Sequence, residues 1–277
     1  MGGWDVSNVR DMSSMFQGAT SFNRDISKWK VSRVGSMKDM FRDARSFNRN
    51  LCGASWVQSN ALKTGMFVGS SGLISREVCP DNSLTSRDIC TRTRAALDKS
   101  DEVEKSEEPE KPAESEKSEP DKSAETDTST KQFKISSNNH LKLEVNEYLK
   151  KFATGDCSTS DCPQGPIGEW DVSSVTDMSN LFLDAKKFNG DISKWDVSRV
   201  TTMKNMFMGA EAFDGDLSKW DVSQVVDMTS MFSGAKSFTS DISMWDVASV
   251  KFMTAMFSGA EAFDPFDCKV NWGASLR

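Results

Sequence analysis

Residues 170–182 read W-D-V-S-S-V-T-D-M-S-N-L-F, and residues 188–207 read F-N-G-D-I-S-K-W-D-V-S-R-V-T-T-M-K-N-M-F. Trp170, Trp195, Trp220 and Trp245 follow one another at one fixed interval, and Trp4 and Trp29 repeat it. A constant period of about 25 residues marks an array of stacked units. Alignment on tryptophan brings further columns into register: valine at 6, 31, 172, 197, 222 and 247, and methionine at 12, 37, 178, 203, 228 and 253. An alanine column at 19, 44, 185, 210, 235 and 260 and a phenylalanine column at 22, 47, 188, 213, 238 and 263 complete the unit. Apolar columns that recur in every unit predict a core of continuous side-chain ladders, because so short a unit cannot close a core alone.

Each unit carries two periods. Met12, Met15, Phe16 and Ala19 follow i, i+3, i+4, i+7, the stripe of a short helix. Ile26, Trp29 and Val31 follow i, i+3, i+5, the spacing of a leucine-rich-repeat strand. The reading is an α/β solenoid of leucine-rich-repeat-like coils in two arrays, with one short strand and one short helix in each repeat of about 25 residues.

The arrays are expected at 1–93 and 133–277, with a disordered acidic linker at 94–132 between them. From Lys99 to Lys131 there are twelve Asp or Glu against six Lys, and Val103 is the sole large apolar residue, so the segment cannot bury enough surface to offset chain ordering. Val145, Tyr148, Leu149 and Phe152 share one helical face and predict a helical cap ahead of the second array. Trp29 to Trp56 and Trp245 to Trp272 share one longer interval, with Cys52 and Cys268 just before the later tryptophan, which predicts a C-terminal cap on each array. The first array starts at its tryptophan unit without a lead-in, so the chain's N-terminus is expected to be truncated.

The 277 residues carry a net charge of −7, which leaves no basic excess for a nucleic-acid backbone. No apolar run approaches the roughly 20 residues of a membrane helix, so no transmembrane segment is expected.

The strings quoted above, with M-F-S-G-A at 231–235, resemble the BspA-like surface-protein repeat over most of the chain outside the linker and parts of the caps. The resemblance implies a leucine-rich-repeat-like solenoid on a cell surface or in a secreted protein, with adhesion or protein binding as its role and no catalytic residues. Lys30 in place of Asp after tryptophan, and Gly35 with Ser36 in the T-D positions, depart from the pattern.

Six cysteines, Cys52, Cys79, Cys90, Cys157, Cys162 and Cys268, lie outside the regular units and are candidate disulfide staples of the caps. Cys157 and Cys162 are close enough for a local bridge; the remaining connectivity stays open. Because Trp and Val of W-D-V-S point inward, Asp171, Ser173, Asp196, Ser198, Asp221, Ser223 and Asp246 form an outward polar ladder, a candidate partner contact. The carboxylates also suit turn acceptors or a weak calcium-bridged ladder. No nucleophile with a base and an orienting acid, and no phosphate loop, stands out, so the expectation is a protein that is not an enzyme and takes no cofactor. His140, the one histidine, is expected to be solvated. The favoured function is protein or cell-surface ligand binding; the alternative is a structural or calcium-ordered spacer of a cell coat.

Overall fold

The computed structural model describes residues 2–79, 132–157 and 162–263. The expected acidic linker, apart from Gln132, lies outside the described residues, as do Cys90, Cys268 and Trp272.

The repeat columns are the core, but the strand and helix expected in every unit are not formed. Among the described residues the regular elements are β1 (Asn50–Leu51), α1 (Ala54–Val57), β2 (Leu73–Ile74) and α2 (Asn138–Lys151), with one 3₁₀ turn at Ile167–Glu169. β1 and β2 pair in parallel, Asn50 with Leu73 and Leu51 with Ile74. The regular α/β solenoid is therefore overturned, and the backbone supplies the reason. Ser14 has φ 54° and Gly18 φ 66°, left-handed values that a right-handed helix cannot contain. The same two columns are left-handed in later units, at Asp39, Asn180, Asn205, Ser230 and Ala255, and at Asp43, Asp184, Gly209, Gly234 and Gly259.

Between these points the amides divide their partners. Met15, Gln17 and Ala19 donate three residues back, to Met12, Ser14 and Phe16, while Ser14, Phe16 and Gly18 donate to Lys38, Met40 and Arg42 of the next coil. A helix would send each N–H four residues back. The i, i+3, i+4, i+7 stripe is thus a run of tight turns stitched to its neighbour at every second residue. The Ile26–Trp29 segment is also a turn, closed by Trp29 N–H to Ile26 C=O at 3.0 Å. In the repeat units, coils pair through isolated parallel bridges, Asp177 to Thr202 to Asp227 to Phe252.

The ladders form as the columns predict. Phe182, Phe207, Phe232 and Phe257 stack ring on ring with centroids 5.3, 5.5 and 5.7 Å apart. In the second stretch indole N–H groups reach a carbonyl of an earlier turn, Trp195 to Ile167, Trp220 to Ile192 and Trp245 to Leu217. That bond lets the large ring be buried without an orphaned donor.

The two arrays are not separate either. The bridge series continues from Phe252 to Asp11, then to Ser36 and Leu62, so the Trp4 coil sits directly on the Trp245 coil. Both stretches belong to one compact unit. At this seam Arg10 and Ser21 N–H donate to Lys251 and Glu261 C=O, and Met253, Ala255, Phe257 and Gly259 donate to Asp11, Ser13, Met15 and Gln17. Phe16 stacks on Phe257 at 5.8 Å and 4°, and Trp4 Nε1 donates to Ile242 C=O at 3.1 Å across 238 residues of sequence. The coil order in space is Trp170, Trp195, Trp220, Trp245, Trp4, Trp29, Trp56. The first stretch forms no free array because the Trp245 coil covers its open face.

The two outer ends differ. At the Trp170 end lies α2, capped by Ser137, whose hydroxyl accepts the His140 N–H, and it buries Leu141, Val145 and Tyr148. At the other end the expected cap is a further coil: Trp56 is fully buried and donates to Ile26 C=O, and Phe67 stacks on Phe41 at 5.6 Å. A disulfide between Cys52 and Cys79 closes it, and a second joins Cys157 to Cys162.

Candidate interaction surface

The turn after each tryptophan decides how the outward ladder is presented. In W-D-V-S the Trp and Val side chains enter the core, so Asp faces outward, and its short side chain folds back on the turn. Asp171, Asp196 and Asp221 accept the backbone N–H of Ser173, Ser198 and Ser223 at 3.1, 3.1 and 3.0 Å. Asp246 accepts that of Ala248 at 3.0 Å. The Ser173 and Ser198 hydroxyls add bonds of 2.6 and 2.7 Å to the same carboxylates. Asp196, Asp221 and Asp246 are exposed and the serines half-buried. The structure thus brings all seven ladder residues onto one outer strip, one Asp per coil.

Hydrogen bonding by Ser173 and Ser223, side chain first and backbone second, holds Asp171 and Asp221 below the usual carboxylate range. Asp191 and Asp216, in a second column, are lowered in the same way by Ser193 and Ser218. Bonds from N–H and O–H groups stabilise the ionised form. Each carboxylate is therefore already committed to its own turn. Among the described residues no group of three or more His, Cys, Asp or Glu could hold a metal ion.

A third strip was not foreseen. Lys186, Glu211, Lys236 and Glu261 occupy one column in successive coils with alternating sign, and Glu211 bonds Lys186 at 3.1 Å and Lys236 at 3.0 Å. Its signal was present in the aligned repeats as K, E, K, E after the alanine column. Opposite charges in adjacent coils favour this register, and solvent screening keeps the strip's contribution to stability small.

His140 is half-buried rather than fully solvated: its Nδ1 accepts the Ser136 N–H at 3.1 Å and Nε2 lies 3.6 Å from Glu144. Beside α2 an open groove of about 590 Å³ is lined by Leu149, Lys150, Ala153, Leu183 and Lys187. No described helix is long and apolar enough to cross a membrane.

Residues 1–76 and 151–269 match the family described as Mycoplasma protein of unknown function, DUF285. The chain belongs to this family. The two DUF285 matches coincide with the two repeat stretches, so the repeat is the part of the chain that carries the membership. Membership is shown at this level, and a BspA-like membership is not. No curated protein and no solved structure matches the chain.

Proposed function

We propose that this DUF285 protein is a non-catalytic binding protein of a cell surface or the extracellular space, and that the strip Asp171, Ser173, Asp196, Ser198, Asp221, Ser223 and Asp246 contacts a protein partner. The observation that supports this most is that the turn bonds fix the carboxylates one coil apart on a stacked scaffold. Side chains already ordered lose little freedom on binding. Polar groups repeated at a fixed pitch suit an extended partner better than a small molecule. Two disulfides suit an oxidising compartment, and the likeness of the strings to BspA-like surface repeats supports adhesion as the role.

Asparagine tests the strip, because its side-chain oxygen can still accept the turn bond while the charge is gone. The variant D171N/D196N/D221N/D246N is expected to keep the melting temperature close to the parent's and to lose binding to intact cells measured by flow cytometry. Undiminished cell binding by a folded variant would overturn the strip as the contact.

A further inference from the structure

Among the described coils, the seam between the Trp4 and Trp245 coils is the junction whose two sides come from chain segments joined only through residues 80–131. The contacts that hold it are non-covalent: the backbone hydrogen bonds from Arg10, Ser21, Met253, Ala255, Phe257 and Gly259, the Trp4 indole to Ile242, Asn8 Nδ2 to Ala248 C=O at 2.8 Å, and the Phe16–Phe257 stack. Of the outer ends, one carries α2 and the other is the disulfide-closed Cys52–Cys79 coil, where Leu62, Val68 and Leu73 are exposed. Opening the seam therefore uncovers two faces that fit each other. On the Trp245 coil the N–H groups of Met253, Ala255, Phe257 and Gly259 lose their acceptors, and on the Trp4 coil the matching carbonyls are freed. A buried amide donor left unpaired is costly. Such a face selects a surface with acceptors at the same pitch and rings in the same column.

We propose that the seam is an exchangeable docking surface whose partner is a second copy of this chain. Residues 2–79 of one copy seat on the Trp245 coil of another, and the reciprocal exchange closes a two-fold dimer in which every coil junction is kept. Residues 80–131 run from Cys79, at one end of the stack, to Gln132, at the other. That many residues reach at most about 170 Å, several times the roughly 30 Å of six coil steps, so chain length permits both connections. Within one chain the closure is intramolecular, so the closed monomer prevails in dilute solution and exchange needs opening at high concentration.

The test uses the full chain with a site-specific protease sequence inserted after Glu110, prepared unlabelled and ¹⁵N-labelled. After cleavage, native mass spectrometry is expected to find the two pieces still paired, and mixing the two preparations is expected to give pairs of mixed mass. N8D, which aims a carboxylate at the Ala248 carbonyl, is expected to speed mixing about tenfold. Without cleavage, co-refolding both preparations at millimolar concentration is expected to give dimers of mixed mass. Pieces that part on cleavage would overturn the seam. Pairs that never mix after warming through the transition, or an N8D rate equal to the parent's, would overturn exchange at this surface.

Discussion

The junction between the Trp195 and Trp220 coils joins consecutive repeats, and the seam joins Trp4 to Trp245, from opposite ends of the chain, yet the two are built alike. In one, Phe207 N–H donates to Met231 C=O at 2.9 Å and Phe207 stacks on Phe232 at 5.5 Å. In the other, Phe257 N–H donates to Met15 C=O at 2.9 Å and Phe16 stacks on Phe257 at 5.8 Å. Chain connectivity is not what holds these coils in order. Matched columns of donors, acceptors and rings do so, as expected of a quasi-one-dimensional stack stabilised by nearest neighbours.

The largest effects sharpen this equivalence. Trp220→Ala removes a buried indole inside the second stretch, and Trp4→Ala removes one at the seam. Each is expected to cost about 3–5 kcal/mol in denaturant unfolding. A much smaller loss at Trp4 would break the comparison, because the seam would then be weaker than an interior junction.

The two outer ends differ in their staples. The Cys52–Cys79 bridge spans a sequence separation of 27 and the Cys157–Cys162 bridge one of 5. Loop-closure entropy gives about 3–4 kcal/mol for the first and about 2 kcal/mol for the second. Replacing Cys52 and Cys79 with serine is expected to lower the unfolding midpoint more than replacing Cys157 and Cys162. The reverse order would show that the short loop orders more of the stack than the long one.

Smaller effects separate the two left-handed columns. Ala255, at φ 54°, occupies a conformation that costs a side chain about 1 kcal/mol, so Ala255→Gly is expected to stabilise by roughly that amount. Gly234, at φ 72°, would place a Cβ in ordinary contact with Gly209 at 3.7 Å, so Gly234→Ala is expected to cost about 1 kcal/mol through φ alone. Paired thermal melts check both signs.

The smallest effects per residue concern acid. Asp5 in the first stretch and Asp171, Asp191, Asp216 and Asp221 in the second have pKa values lowered chiefly by serine hydrogen bonds. Their contribution is complete above the unfolded carboxylate range and is lost as pH falls below it and through the lowered folded values. Lys30 stands where another Asp would be, so acid bears mainly on the second stretch. In a single stack both stretches are expected to melt together as pH falls, and D191N/D216N is expected to flatten the pH dependence. Separate acid transitions for the two stretches would break the seam's cooperativity.

The columns that make the core were legible because burial recurs once in every unit and leaves Trp, Met and Phe nowhere else to go. The helix was misread because a run of turns with left-handed corners puts Met12, Met15, Phe16 and Ala19 on one side as a helix would. The corrective signal lay at Asp39, Asn180, Asn205 and Gly209, residue types that tolerate positive φ, recurring in two fixed columns. The Trp56 coil reads as a cap from the longer Trp29–Trp56 interval and the Cys52 just before it, yet Leu62, Met66 and Phe67 take the places of Ser36, Met40 and Phe41 one residue late. The outward Asp–Ser ladder was legible from alternation, and its turn bonds were among the open alternatives. The seam was hidden, since any coil's column pattern fits any other and sequence distance says nothing of which faces meet.

Hydrogen exchange tests the single stack most directly, because the seam is made of named amides. In the intact chain, Ala255, Phe257 and Gly259, which donate across the seam, are expected to exchange as slowly as Asn205, Phe207 and Gly209, their counterparts at an interior junction. Exchange of the three seam amides at the rate of open backbone, with the interior three still protected, would contradict the account.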